Sequence, residues 1–266
     1  MTLSFYKYQG TGNDFVMIDD RLERFNLDDL STVSKICDRK FGVGADGLIL
    51  IRNHPEYDFE MIYYNADGSQ SMCGNGARCA VAFSHLLGII GLETSFLAID
   101  GGHKAKIVDG KVELLMGEIS KPKEVEGDVF INTGSPHHLR KVEQIRDYPV
   151  VEEGSRIRYS ERYPEGTNVN FVEAIDENEI FVRTYERGVE NETLSCGTGV
   201  TAAALAFGTK NPNQTVAIKT LGGDLAVRYS LNEDHEFEDV WLIGPAEKVF
   251  EGTLELNEES VAEQSQ

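Results

Sequence analysis

Met72-Cys73-Gly74-Asn75-Gly76-Ala77-Arg78-Cys79 and Ser195-Cys196-Gly197-Thr198-Gly199-Val200 are the two stretches on which the reading of this chain turns. Each sets a cysteine before Gly-x-Gly and then enters a small, apolar, helix-compatible segment, Ala77 to Leu87 in the first case and Val200 to Phe207 in the second. A thiol thus stands where a loop becomes a helix. A helix N-terminus leaves its first backbone N–H groups unpaired and carries partial positive charge, which favours anions. The expectation is a thiol of lowered pKa, usable as base or nucleophile, beside glycine amides open to a substrate carboxylate. Neither segment has a polar face, so both helices should be buried in cores. Taken alone, either cysteine reads equally well as a small buried hydrophobe in a glycine-rich turn; the duplication is what favours function. Cys37, in a predicted helix between Leu27 and Asp38, and Cys79, inside the first apolar helix, are expected to be packing residues.

Around these stretches the chain repeats itself. The first half reads as strands over 5–8 and 15–19 about the turn Gly10 to Asp14, a polar helix over 26–38, strands over 48–52 and 58–64, the cysteine helix, and hairpin strands over 95–100, 103–108 and 111–116. The second half gives a strand over 129–132, the turn Thr133-Gly134-Ser135-Pro136-His137, a polar helix over 142–149, strands over 169–174 and 179–185, the second cysteine helix, and strands over 215–221, 224–230 and 240–244. Cys73 and Cys196 lie 123 residues apart and Gly101 and Gly222 lie 121 apart, a nearly constant offset of the kind an ancient duplication leaves. One long apolar helix among many strands can be buried only if the strands wrap it. The fold class expected is therefore α+β: two pseudo-symmetric domains, each a curled, mostly antiparallel sheet around a central helix. Domain limits are expected at 1–118 and 119–248, with a surplus strand over 249–257 returning to the first domain and a disordered tail over 258–266.

The 266 residues suffice for two ordinary domains, each with its own core. A formal charge of −20 argues against nucleic acid, since phosphate rewards clustered Lys and Arg. No apolar run is long enough for a bilayer, and Met1 to Lys7 lacks a signal-peptide core, so neither membrane nor secretion is expected. Four cysteines without secretory features suggest free thiols in a reducing compartment, the cytoplasm.

Two thiols facing each other across a small amino acid define a chemistry. One thiolate removes the α-proton from one face, the opposite thiol returns a proton to the other, and the centre is inverted. Fixed amide dipoles stabilise the carbanionic charge as it spreads into the carboxylate. No cofactor is required, and the chain carries no Gly-x-Gly-x-x-Gly or P-loop.

These residues match a known family. The chain resembles diaminopimelate epimerases through Gly12-Asn13-Asp14-Phe15, Asn65-Ala66-Asp67-Gly68, Cys73 to Cys79, Pro136-His137, Tyr185-Glu186-Arg187-Gly188, and Glu192-Thr193 through Cys196-Gly197. The resemblance spans nearly the whole length and implies a cofactor-independent isomerase that interconverts LL- and meso-diaminopimelate for lysine and cell-wall synthesis, acting as a homodimer. It implies that Cys73 and Cys196 are the acid/base thiols and that Gly74, Asn75, Gly197 and Thr198 give amides to the reacting carboxylate. It also implies that Asn13, Asn65, Asn168, Glu186 and Arg187 hold the substrate, Arg187 by a bidentate grip on the distal carboxylate, with His137 and Glu186 supporting the thiols.

Two departures stand out. Many members carry Gln where this chain has Gly47 and Asn where it has Ser135, so water or a neighbour must replace those contacts; one extra residue also separates Arg187 from Cys196. Proline racemase and hydroxyproline epimerase are the nearest rivals; they place His where Asn75 stands and need no Arg for a distal carboxylate. A dithiol redox or metal protein is the rival of another class, and the five residues between Cys73 and Cys79 do not fit Cys-x-x-Cys.

Overall fold

Two helices without a polar face fix the architecture. The computed structural model describes residues 2–117, 119–208 and 215–255; the tail expected to be disordered lies outside them. The first half runs β1 (Thr2–Gly10), β2 (Asn13–Asp19), α1 (Leu30–Cys37), β3 (Gly47–Arg52), β4 (Phe59–Asn65), α2 (Gly74–Leu86), β5 (Glu93–Ala98), β6 (Gly101–Val108) and β7 (Lys111–Leu115). The second runs β8 (Lys123–Val125), β9 (Asp128–Asn132), β10 (Pro136–Lys141), α3 (Val150–Arg158), β11 (Asn168–Ala174), β12 (Glu179–Glu186), β13 (Asn191–Thr193), α4 (Gly197–Phe207), β14 (Thr215–Thr220), β15 (Gly223–Leu231), β16 (Phe237–Gly244) and β17 (Glu247–Glu255).

The duplication is visible in the pairing. β2–β3 is parallel, β3–β4 antiparallel, β4–β5 parallel, and β5–β6–β7 antiparallel. β10–β11, β11–β12, β12–β14 and β14–β15–β16 repeat that sequence of directions. The halves join where β7 pairs with β16, and the last described strand, β17, runs antiparallel to β1. The described strands thus form one continuous, mostly antiparallel sheet that curls around one helix in each half.

Both central helices are buried as their composition requires. Ala77, Cys79, Ala80, Val81 and Phe83 of α2 pack on Phe15, Ile49, Phe59 and Phe96, and the Phe83 ring lies 4.9 Å from Tyr6 and 5.7 Å from Tyr8. Val200 and Ala202 to Leu205 of α4 pack on Leu139, Val172, Val216 and Leu242. Each large side chain so buried contributes about 1.5–3 kcal/mol. The outer faces are covered by α1, through Val33, Ile36 and Cys37, and by α3, through Val150 and Ile157.

The polar helix expected over 142–149 is not there. A single 3-10 turn spans Ile145–Asp147 and the helix follows at Val150–Arg158. Gln144 takes a left-handed φ of 55°, and Pro149, which has no N–H to give, stands just before the helix and starts it rather than ends it. α1 is shorter than expected because Asp29 caps it, accepting from the Thr32 N–H at 3.1 Å. The expected turn through His137 ends at Ser135, and Pro136 and His137 already belong to β10.

The β1–β2 turn of the first half seats against the second half. Thr11 Oγ1 donates to Ser195 Oγ at 3.1 Å, and a Cβ on Gly222 would lie 1.9 Å from the Thr11 carbonyl oxygen. Gly222→Ala therefore forces the halves apart. The expected outcome is loss of at least about 1–3 kcal/mol in unfolding free energy, with a larger radius of gyration by X-ray scattering; an unchanged radius and stability would show that this contact does not hold the halves together.

Candidate active site

Cys73 and Cys196 are the N-cap residues of α2 and α4, both in extended backbone. The two helix ends meet backbone to backbone. A Cβ on Gly197 would lie 3.7 Å from the Gly74 Cα and 3.0 Å from Leu242 Cδ2, and Leu242 also lies 3.5 Å from the position of a Cβ on Gly74. The first turns are therefore in van der Waals contact, and a Cβ at 197 would press on the Leu242 methyl. Asn75, buried at this junction, donates through Nδ2 to the Ser195 carbonyl at 3.3 Å, and its Oδ1 accepts from Arg78 Nη2 at 2.9 Å.

On the first side, Cys73 Sγ accepts from the Gly76 N–H at 3.5 Å and lies 3.4 Å from Asn13 Oδ1. Asn13 is oriented from behind, because its Nδ2 donates to the Asp46 carboxylate at 2.6 Å, and Asp46 is held by Arg39 at 2.7 Å. Asn65 closes β4, with Nδ2 directed to Ser69 and Ser71 and Oδ1 accepting from the Tyr63 hydroxyl at 2.8 Å. On the second side, Cys196 Sγ lies 3.5 Å from Thr198 Oγ1, which is 2.9 Å from His137 Nε2. Asn168 Nδ2 donates to Ser135 Oγ at 2.8 Å, and its Oδ1 accepts from the Arg187 N–H at 2.9 Å. The shorter Ser135 thus does reach a partner. Arg187 is exposed, with Nη1 on the Glu165 carbonyl at 3.3 Å, and its charge is felt by His137.

Glu186 reaches both sides: its charge raises the pKa of each thiol, and its carboxylate accepts from Thr193 Oγ1 at 2.8 Å. Burial raises the pKa of Glu186 itself. Cys73 also raises the pKa of Cys196, so the two sulfurs lie within electrostatic reach of each other.

The thiol pKa values run opposite to the expectation. Burial pushes Cys73 up to about 11 although the Gly76 and Asn75 amides pull it down, and burial followed by Glu186 pushes Cys196 up to about 12. Removal from water outweighs the helix end when the halves are closed on each other. His137 moves the other way, down to about 3, through burial and then Arg187. Cys37 and Cys79 are fully packed thiols, with values raised by burial to about 11 and about 12.

Tyr63, Asn170, Asp46 and Thr11 belong to the site and were not singled out from sequence. Tyr63 explains Gly47: a Cβ there would lie 2.4 Å from Tyr63 Cε2 and 2.5 Å from the Tyr64 carbonyl oxygen, so the ring fills the space of the missing side chain. Among the described residues, no group of three or more His, Cys, Asp or Glu side chains is disposed to hold a metal, and no helix is long and apolar enough to cross a membrane.

A family model described as diaminopimelate epimerase matches residues 5–122 and 129–249. The chain is 48% identical over 258 residues to the diaminopimelate epimerase of Flavobacterium psychrophilum, covering 95% of this chain and 100% of that one. It is 43% identical over 275 residues to that of Aquifex aeolicus, covering 95% and 98%. Among solved structures, a Bacillus anthracis phenazine biosynthesis protein of the PhzF family superposes with a TM-score of 0.77 at 13% identity, over 96% of this chain and 100% of that one. A hydroxyproline epimerase from Agrobacterium vitis gives 0.67 at 16% identity, over 95% and 92%. These two likenesses show the shared fold alone.

The thiol pKa values give a pH dependence. A thiol held above its ordinary value of 9.0 stays neutral at neutral pH, and its anion fraction grows about tenfold per pH unit below the pKa. Alkylation of Cys73 in the substrate-free protein is therefore expected to climb steadily from pH 7 towards about 11 when followed by peptide mass spectrometry. A plateau near neutral pH would show that the helix end, not burial, governs the sulfur.

Proposed function

The chain belongs to the diaminopimelate epimerase family, and from that premise we propose that Cys73 and Cys196 are the acid and base that invert the substrate Cα. The protein is an isomerase that interconverts LL- and meso-diaminopimelate, a step of lysine biosynthesis. The observation that carries the proposal is the junction of two cysteine-capped helix ends at Gly74 and Gly197.

The α-carboxylate sits at this junction, on the amides of Gly74, Asn75, Gly197 and Thr198, where two positive helix ends converge. Cα then lies between the sulfurs. The thiolate on one face takes the α-proton, and the electron pair left on carbon delocalises into the carboxylate against those amides. The thiol on the opposite face gives its proton to carbon and becomes the thiolate, so the reverse reaction begins with the roles exchanged. Such acid–base assistance is worth about 10²–10⁴-fold in rate. Asn13 and Asn65 hold the substrate from the first half, Asn168 and Glu186 from the second, and Arg187 grips the distal carboxylate. His137 and Glu186 support the thiols, and no cofactor takes part.

We further assign residues 1–118 together with 249–257 to one domain and 119–248 to the other, which the pairing of β17 (Glu247–Glu255) with β1 supports. Free cysteines and the negative charge support a cytoplasmic enzyme without nucleic-acid or membrane partners. Val249 and Phe250, exposed on β17, supply apolar surface for a homodimer.

Incubation with LL-diaminopimelate in deuterated water, without cofactor, is expected to give deuterium at one Cα and the meso isomer by NMR. Cys73→Ala and Cys196→Ala are each expected to lower turnover by at least about 10²–10⁴-fold, and Arg187→Met to raise KM about tenfold or more. Exchange of proline in place of diaminopimelate would favour the racemase reading, and wild-type turnover in either cysteine variant would end the two-thiol mechanism.

A further inference from the structure

Asn170 lies on β11, behind the site, and its amide can stand only one way round. Its Nδ2 lies 3.2 Å from the His138 carbonyl oxygen and 3.0 Å from His137 Nδ1, while its Oδ1 lies 2.9 Å from Thr184 Oγ1. A backbone carbonyl only accepts, so the group facing it is the NH₂, and that same NH₂ faces the imidazole. His137 Nδ1 is therefore the acceptor and carries no proton. Burial and the Arg187 charge keep the ring neutral, so its one proton is on Nε2, which donates to Thr198 Oγ1 at 2.9 Å. With a lone pair so engaged, the Thr198 hydroxyl turns its hydrogen to the remaining partner, Cys196 Sγ at 3.5 Å.

We propose that Asn170 is a positioning residue that sets the proton order of an Asn170–His137–Thr198 chain and thereby aims the Thr198 hydroxyl hydrogen at the Cys196 sulfur. The proposal rests on the reading of Cys196 as an acid/base thiol and gives that thiol its support. A donor aimed at sulfur favours the thiolate. It works against burial, against Glu186 on β12 and against Cys73 across the junction, all of which favour the neutral thiol. The chain also accounts for Gly199, since a Cβ there would lie 2.4 Å from Asn170 Oδ1 and displace the amide.

The test needs no turnover. In ¹⁵N-histidine NMR of the wild-type protein, His137 is expected to show a bare Nδ1 and a protonated Nε2; in Asn170→Asp, whose carboxylate cannot donate, the proton is expected to move to Nδ1. Alkylation of Cys196 by iodoacetamide at one mildly alkaline pH, read by peptide mass spectrometry against Cys73 in the same sample, is expected to fall about tenfold in Thr198→Val and Asn170→Asp, one pK unit. Thr198→Ser keeps the hydroxyl and is expected to retain the wild-type rate. A wild-type His137 protonated on Nδ1, or equal Cys196 rates in Thr198→Val and Thr198→Ser, would overturn the proposal. Because neither readout involves substrate, such a failure is distinct from a failure of the epimerase mechanism, which deuterium exchange reports.

Discussion

Two helix N-termini are pressed together in this molecule, and that is an arrangement of like poles. Each end carries about half a positive charge, and Arg78 adds a guanidinium that is fully buried behind them. Arg78 gives Nη2 to Asn75 and Thr11 and Nε to the Pro245 carbonyl, all neutral oxygens; among the described residues its Nη1 has no hydrogen-bond partner and the side chain forms no carboxylate pair. A buried cation without a counter-charge is costly, and burial accordingly lowers its pKa. The arrangement becomes favourable when an anion enters the junction. On the proposed function, a substrate carboxylate would supply that charge at the contact of the two halves.

Contact between the halves also acts on the thiols. Excluding water raises the cost of a thiolate while it strengthens every dipole aimed at one. The two sulfurs meet this differently. Cys73 faces Asn13 Oδ1, an acceptor, because Asp46 holds the amide nitrogen of Asn13 on its other side. Cys196 faces the Thr198 hydroxyl. Cys73 also accepts from the Gly76 N–H, and burial with Glu186 leaves Cys196 the higher of the two, at about 12 against about 11. The duplication gave both halves the same cysteine-capped helix, and the surrounding polar residues have made the two caps unequal. An epimerase profits from that inequality, since one turnover needs one acid and one base.

Features set by local chemistry were legible in the sequence. Cysteine before Gly-x-Gly ahead of an alanine-rich run marked the two central helices, the Asp109-Gly110 turn marked the β6–β7 hairpin, and the repeated spacing marked the twofold architecture. Features set by distant parts of the chain were not. Val142 to Pro149 has helical composition but meets a proline that begins the next helix, and the sign of the thiol pKa shifts depends on water excluded by the opposite half. Asn170 looked like any strand residue; only the parallel pairing of β10 with β11 brings it behind His137.

Gly47 shows how a departure from the family pattern is absorbed. Read alone, a glycine where relatives carry a long amide is a lost contact. Here its missing Cβ is the condition for Tyr63, whose ring lies where a side chain at 47 would begin. Tyr63 stacks edge-on against Phe15 at 5.8 Å, which fixes the ring, and its hydroxyl donates to Asn65 Oδ1, which turns the Asn65 nitrogen toward Ser69 and Ser71. A flexible amide costs rotamer entropy when it is ordered, and a ring locked by packing costs less. Burial and the nearby Cys73 raise the Tyr63 pKa, so the phenol keeps its proton and remains a donor. Gly47 and Tyr63 therefore belong together, and a larger residue at 47 would have to displace both the ring at 63 and the Tyr64 carbonyl oxygen.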